Sequence, residues 1–358
     1  MSESDAQPFV SVVLPARNEE RFIESCLRSL LCSDYPAERM EIIVANGASE
    51  DRTAEIVSRV ATEDPRIRLM ENPNRTVPYA MNLCIRAARG EIIVRVDAHA
   101  MYPSDYIARS VETLRRTGAW NVGGVWVTRP GGRGAWARAI SLALAHGFGV
   151  GGSAYRTGAK SGWVDTVPFG AFRREAFEKA GLYRECLTRH QDYELNARIR
   201  SAGGRIYLDP EIRCEYFARP SLSALARQKY ADGKWCVYSW LVCPEAYAFR
   251  HAVPGIMVAV ASLLAAGSVL SPVPLGVLVV LAALYLLGGA NAAVELLATS
   301  RLWEALLTPL VFPILHFSHG VGVIAGLLTA RRWSGAAVAA RPAPQLTAVT
   351  EAMEEAAA

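Results

Sequence analysis

The chain has 358 residues, room for about two domains, and its 51% hydrophobic and 20% charged composition excludes a disordered or collagen-like chain. The formal net charge of +4 hides a division: residues 1–249 carry 33 Lys/Arg and 29 Asp/Glu, whereas residues 250–358 carry 5 of each. Modest charge with scattered basic residues makes no case for nucleic-acid binding. Seven cysteines without a Cys-x-x-Cys pair suit a reducing compartment better than a disulfide framework.

Residues 1–8 are short, polar and partly acidic and do not read as a signal peptide. Phe9 to Leu14 reads as a buried strand. Asn18 offers an N-cap, with Glu19 and Glu20 in the first turn of a helix. Its Phe22, Ile23, Cys26, Leu27, Leu30 and Leu31 recur at helical spacing. Strands follow at Glu41 to Val44, Ile67 to Met70 and Glu91 to Val96, separated by helices over Asp51 to Ala61 and Val77 to Ala88, the latter closed by Gly90. This alternation argues for a parallel sheet with helices on both faces, and ligands then bind at the carboxyl ends of the strands. Asn18, Asn46 and Asp97 fall there.

Beyond residue 100 the pattern becomes mixed. Helices are expected over Tyr106 to Arg116, Arg133 to Phe148, Arg174 to Ala180 and Tyr193 to Ala202, and strands over Asn121 to Thr128, Val164 to Phe169 and Ile206 to Leu208. Gly147 to Gly152 reads as a Gly-rich loop. From Ala252 to Val294 no Lys, Arg, Asp or Glu occurs, a run that fits two membrane helices broken near Ser271 to Pro274. A third uncharged run, Ala305 to Leu328, contains Pro309, Pro313, His316 and His319 and reads either as a third span or as an interfacial or re-entrant helix. Lys229, Lys234 and Arg250 place the N-terminal part in the cytoplasm, and Arg331 and Arg332 place the C-terminus there too, which favours an even number of spans. Trp235, Tyr238, Trp240 and Tyr247 suit an interfacial aromatic belt.

Three polar stretches carry the chemistry. Asp97-Ala98-His99 sets a carboxylate and an imidazole two residues apart at a strand end, where they can reach one divalent cation. Asn46 to Thr53 is a polar turn after the second strand, suited to hold a nucleoside, or else an ordinary βα loop in which Asp51 caps the next helix. His190-Gln191-Asp192-Tyr193-Glu194 places Asp192 just before a helix, as an N-cap or as a general base.

With these stretches in order, and with Val12 to Glu19, Phe169 to Arg174, Gln191 to Asn196 and Gly203 to Pro210, the sequence resembles the family 2 inverting glycosyltransferases of GT-A fold. The resemblance runs over about residues 8–240 and is nearest the membrane-associated, succinoglycan-biosynthesis type. It implies a Rossmann-like α/β domain over residues 1–220 with a mixed, mostly parallel sheet, an interfacial amphipathic segment over 221–250, membrane helices over 251–330 and a disordered tail over 331–358. It implies that Pro15, Ala16, Asn18, Glu19, Asn46, Asp51 and Asp97 bind the nucleotide of the donor. Asp97 and His99 would ligate a divalent metal (Mn²⁺ or Mg²⁺), imidazole suiting Mn²⁺. Asp192 would be the catalytic base, and Gly170, Ala171, His190, Gln191, Lys234 and Trp235 would lie around the acceptor and diphosphate.

Position 46, usually Asp in this family, is Asn here, whose oxygen accepts a uracil N–H and so favours a UDP-sugar. The expected function is transfer of one sugar from a nucleotide-diphosphate donor to a lipid-linked polyprenyl acceptor in exopolysaccharide or cell-envelope glycan synthesis. The protein would sit as a multi-pass protein in the inner (plasma) membrane with its catalytic domain in the cytoplasm. A polyprenyl-phosphate glycosyltransferase and an inactive nucleotide-binding membrane scaffold are the alternatives.

Overall fold

The structure is a computed structural model and describes residues 7–158, 160–333 and 342–346. They fall into two compact units: the first holds 7–127, 158, 160–216 and 342–346, the second 128–157 and 217–333. Sequence boundaries put 128–157 with the catalytic domain; the chain folds that stretch into the second unit instead.

The first unit begins with β1 (Val10–Ala16), α1 (Ile23–Leu31), β2 (Met40–Asn46), α2 (Thr53–Glu63), β3 (Ile67–Glu71), α3 (Val77–Ala87) and β4 (Ile92–Arg95). β1 pairs in parallel with both β2 and β4, and β2 pairs in parallel with β3. The chain therefore steps from β1 out to β3 on one side, then returns to β4 on the other. The order reverses beside β1, and a crevice opens there at the carboxyl ends. Both faces of these strands are covered, so their sequences are nearly continuous apolar runs: Val12, Val13, Leu14, Ile42, Ile43, Val44, Ile93 and Val94 are all 0% exposed.

The sheet is completed by β5 (Asn121–Arg129), after α4 (Tyr106–Thr117), and by β6 (Gly162–Trp163), β7 (Ala171–Arg173) and β8 (Ile206–Phe217). The eight strands lie in the order β3-β2-β1-β4-β7-β5-β8-β6. β7 runs antiparallel to both β4 and β5, which makes the sheet mixed. It is followed by α8 (Arg174–Ala180) and α9 (Gln191–Ser201).

Several local expectations are corrected. Val164 to Phe169 is not a strand; it is irregular chain between β6 and β7. β8 continues to Phe217, well beyond Leu208. α1 starts only at Ile23, so Asn18 is not its cap, and Asp192 lies inside α9 rather than capping it. α3 is closed by Ala88 in extended conformation. Gly90 serves close approach instead: a Cβ there would lie 2.5 Å from the Ser11 nitrogen. Of the tail expected over 331–358, residues 334–341 and 347–358 lie outside the described residues, while Pro344 accepts a 2.7 Å hydrogen bond from the Leu182 N–H.

The second unit contains α5 (Ala135–Ala145), the single-turn helices α6 (Gly147–Val150) and α7 (Ala154–Thr157), and α10 (Leu222–Val242), α11 (Val253–Gly267), α12 (Pro272–Leu297) and α13 (Leu302–Thr329). Gly147–Val150, four of the six residues of the expected Gly-rich loop, is thus a turn of helix. Among the described residues, two stretches are long and apolar enough to cross a membrane, Pro272–Leu297 and Leu302–Arg332. α11, at 15 residues, is about 22 Å long, short of a ~30 Å hydrocarbon core. The first uncharged run therefore supplies one helix of spanning length rather than two, and the third run supplies the other.

α10 occupies most of the stretch expected as an interfacial segment. It packs on α13 backbone to backbone, because glycines remove the intervening side chains. A Cβ at Gly233 would lie 2.0 Å from the His319 carbonyl oxygen, and one at Gly322 would lie 2.1 Å from that of Tyr230. Tyr238, expected in an interfacial belt, is buried: its ring stacks on Trp333 at 4.8 Å and its hydroxyl lies 2.8 Å from Thr329 Oγ1. Two polar contacts tie α5 and its C-cap to the apolar helices, the ion pair of Arg138 with Glu304 and the approach of His146 Nε2 to Glu295 Oε2, each at 3.0 Å. Gly322→Ala forces a methyl group against main chain that cannot turn aside. It should destabilise the second unit by about 1–3 kcal/mol, read as a lower thermal midpoint and faster proteolysis within 217–333 in detergent, with the first unit unaffected.

Candidate active site

The carboxyl end of β4 carries the residue on which the site is organised. Arg95 follows three apolar residues, Ile92-Ile93-Val94, and only 5% of its side chain is exposed. A buried guanidinium needs counter-charges. Its Nη1 donates to Asp192 Oδ1, and its Nη2 lies 3.4 Å from Asp97 Oδ1. The rings of Phe169 and Tyr183 lie 5.9 Å and 6.0 Å from the guanidinium carbon. Burial disfavours its charge, but Asp192 and Asp97 outweigh that and hold its pKa above the usual arginine value.

Asp192 reaches Arg95 because α9 is fixed by its own buried polar side. Glu194, whose side chain is fully buried, accepts from Arg184 Nε at 2.8 Å and Arg198 Nε at 2.6 Å. Asn196 bonds Asn121 and Thr166, each at 2.8 Å. Although 29% of the Asp192 side chain remains open, burial pushes its carboxyl pKa up, with Asp97 adding to the shift and Arg95 opposing it. A carboxyl that is part open and raised in pKa suits proton abstraction.

The loops after β1 and β2 are tied together. Asn18 donates its N–H to Ser49 Oγ at 3.1 Å and accepts from the Glu50 N–H at 2.9 Å. The Glu19 N–H donates to Thr53 Oγ1 at 2.7 Å. Asp51 accepts from the Thr53 N–H and hydroxyl and from the Glu20 N–H; burial raises its pKa, but these hydrogen bonds prevail and lower it. Asn18, Glu19 and Asp51 thus meet as expected, though Asp51 spends its oxygens on the protein. Asn46 is 4% exposed; its Oδ1 accepts from the Ser49 N–H at 3.1 Å and its Nδ2 donates to Glu71 Oε2 at 2.8 Å. The uracil preference rested on that oxygen, which is already engaged. Pro15 and Ala16 end β1, and the Ala16 carbonyl accepts from the Gly47 N–H at 2.8 Å.

Five non-glycine residues among those described take positive φ: Asn18, Ala48, Arg75, Phe169 and His190. They follow β1, β2 and β3, precede β7 beside the end of β4, and precede α9. All five therefore ring this one edge. Each such conformation costs about 1–2 kcal/mol, and such strain collects at functional sites.

His99 Nδ1 lies 3.1 Å from Glu19 Oε1. Among the described residues, no three His, Cys, Asp or Glu side chains are grouped to hold a metal. Asp97 follows β4 beside Arg95, and a carboxylate is the kind of group that holds a Mg²⁺-type cation whose other ligands come from substrate phosphates. Gly170 and Ala171 flank β4: the Gly170 carbonyl accepts from the Arg95 N–H at 3.0 Å, and a Cβ at Gly170 would lie 2.3 Å from Asn121 Oδ1. His190 is the left-handed N-cap of α9 and Gln191 its buried first residue. Lys234 and Trp235 belong to α10 in the second unit, with Trp235 packed edge-on against Tyr238 and Trp333.

The sequence profile of Glycosyl transferase family 2 matches residues 11–181. The succinoglycan biosynthesis protein ExoA of Rhizobium meliloti is 33% identical over 270 residues, spanning 74% of this chain and 81% of that protein. The chain belongs to glycosyl transferase family 2. A second relative, from Methanococcus voltae, is named as a dolichyl N-acetyl-alpha-D-glucosaminyl phosphate 3-beta-D-2,3-diacetamido-2,3-dideoxy-beta-D-glucuronosyltransferase. It is 26% identical over 233 residues, 63% of this chain and 72% of that protein. Among solved structures, a mannosyltransferase of Pyrobaculum calidifontis in complex with GDP-Man and Mn²⁺ aligns with TM-score 0.62 over 91% of this chain and 89% of its own, at 23% identity. The fold of this glycosyltransferase is GT-A.

The sequence patterns pointed to neither Arg95 nor Glu71 as a site residue. The signal for Arg95 was available: an arginine at the end of a strand otherwise fit for burial must find carboxylates. Arg95→Met leaves two carboxylates without their counter-charge and should destabilise the first unit by about 3 kcal/mol. Adding Asp192→Asn should restore part of the loss. Thermal unfolding of the two single variants and the double variant measures the coupling; strictly additive losses would contradict the pairing.

Proposed function

We propose that this glycosyltransferase is an inverting, metal-dependent enzyme that moves one sugar from a nucleotide-diphosphate donor to a lipid-linked acceptor at a membrane face. The observation that carries the reading is the buried Arg95 bridging two carboxylates, Asp97 at the end of β4 and Asp192 in the first turn of α9. One carboxylate serves the donor and the other the acceptor. Pro15, Ala16, Asn18, Glu19, Asn46 and Asp51 form the wall against which the nucleoside lies. Asp97 and His99 would hold the divalent cation, which neutralises charge on the departing diphosphate.

Asp192 takes the proton of the acceptor hydroxyl. The hydroxyl oxygen bonds to the anomeric carbon as the bond to the diphosphate oxygen breaks on the opposite face, which inverts the configuration. Gly170, Ala171, His190 and Gln191 border that face. Arg95 keeps Asp192 ionised and fixed in position until the acceptor arrives.

The lipid-linked acceptor is supported by Pro272–Leu297 and Leu302–Arg332, each long enough to span. It is supported as well by the dolichyl phosphate compound in the name of the Methanococcus voltae relative. Two spans leave Arg250 and the pair Arg331 and Arg332 on the same side, which the positive-inside bias makes cytoplasmic. The ExoA relative supports a role in exopolysaccharide synthesis.

Asp192→Asn is close to isosteric. It should lower transfer by about 10²-fold or more while leaving donor binding by calorimetry near wild type; transfer at the wild-type rate would remove Asp192 as the base. Because Asp192 must be deprotonated to act and its pKa is raised, the acidic limb of kcat/KM should lie above the ordinary aspartate range. Asp97→Ala should abolish transfer and the metal-dependent part of nucleotide binding. Wild-type activity persisting in excess EDTA would defeat the metal assignment.

A further inference from the structure

Between β2 and β3 lies an arrangement that the donor wall above does not use. Asn46 and Glu71 are registered partners on these parallel strands, both at the carboxyl edge. Both ends of the Asn46 amide are engaged: its Nδ2 donates to Glu71 Oε2 and its Oδ1 accepts from the Ser49 N–H. It is also nearly inaccessible, at 4% exposed. Glu71 is exposed, and only one of its two oxygens is drawn toward Asn46.

Of the other carboxylates on this rim, Asp51 is consumed by Thr53 and Glu20, Glu20 accepts from the Arg52 N–H at 3.3 Å, and Glu19 lies against His99. The loops that follow β1, β2 and β3 approach one another closely at Gly47. The Gly47 Cα carries no Cβ where one would lie 3.2 Å from both Arg17 Cβ and the Arg75 carbonyl oxygen, and the chain beyond β3 turns sharply at Arg75 with φ 63°.

We propose that Glu71 is the specificity-determining residue for the donor's nucleobase, that Asn46 positions it, and that the base it selects is guanine. This rests on the nucleotide-sugar reading above. A carboxylate only accepts hydrogen bonds. Guanine offers it two adjacent donors, the N1–H and the 2-amino group, which match its two oxygens as a parallel pair. Uracil offers one N–H flanked by two carbonyl oxygens that face the carboxylate's charge. Adenine and cytosine set a ring nitrogen acceptor beside their amino group. Asn46 orients the carboxylate through one oxygen, and each carboxylate oxygen has a second lone-pair site for the base.

The test is calorimetric binding of GDP, inosine diphosphate and UDP, with Mn²⁺, to the full chain in detergent. Inosine differs from guanosine only in lacking the 2-amino group. The wild type should bind GDP about tenfold or more tighter than inosine diphosphate, and tighter still than UDP. In Glu71→Ala the preference for GDP over inosine diphosphate should vanish, while Glu50→Gln, altering a neighbouring exposed carboxylate, should preserve it. Three results overturn the proposal: UDP binding as tightly as GDP; equal losses for all three nucleotides in Glu71→Ala, the mark of a merely structural residue; or the preference following Glu50. If the wild type binds none of the three, the donor reading itself falls, and this assignment falls with it.

Discussion

The charge of one buried guanidinium governs the active site of this glycosyltransferase. Arg95 sits where β4 leaves the sheet, between a carboxylate two residues onward and another almost a hundred residues away in sequence. Two carboxylates near one buried point repel each other and lose hydration, and each would be driven toward its neutral form. A cation between them opposes that cost, although burial still leaves the Asp192 pKa raised. It lets Asp97 and Asp192 stay close, part-shielded and chemically distinct, and close placement of unlike roles is what a displacement at a sugar carbon requires. The cation itself is tolerated in the interior because both partners are in reach.

Around it, the fold converts rigidity into a surface. The end of every strand in the parallel half opens toward the same crevice, and the loops there are bound to one another. Asn18 holds Ser49 and Glu50, Glu19 holds Thr53, and Asp51 holds Glu20. Five left-handed residues on the same rim add strain that only such bracing can sustain. A rim braced in this way is ordered before any ligand arrives, which lowers the ordering cost of binding. The second unit uses a different device. α12 and α13 are apolar nearly throughout, and α10 and α13 hold together by close backbone contact at Gly233 and Gly322.

Several site residues were legible as positions but not as partners. Strand-end placement alone located Asn18, Asn46 and Asp97, because the apolar runs before them are unmistakable and chain connectivity fixes where the ends lie. What each side chain does with its hydrogen bonds was not legible. Asp51 is a brace, Asn46 is engaged by Ser49 and Glu71, and Asn18 is a cross-link rather than a cap. Those outcomes depend on which loops face each other, and local spacing is silent on that. The helix ends failed for a related reason: Asp192 lies one residue inside α9 because the chain turns at His190 in a left-handed conformation that sequence patterns do not announce.

The sequence by itself determined the alternation of strands and helices up to residue 100, the polar strand ends and the apolar C-terminal runs, because these follow from hydrophobic periodicity and run length within short windows. It also carried enough ordered motifs to indicate the family. Only the tertiary structure decided that Arg95 joins Asp97 to Asp192, that β7 returns antiparallel beside β4, that Glu71 stands beside Asn46, and that the third apolar run rather than part of the first is of spanning length. Each of these is a relation between residues distant along the chain. Charge pairing, strand registry and helix length are set by what lies opposite in space, and a linear pattern encodes only what lies alongside.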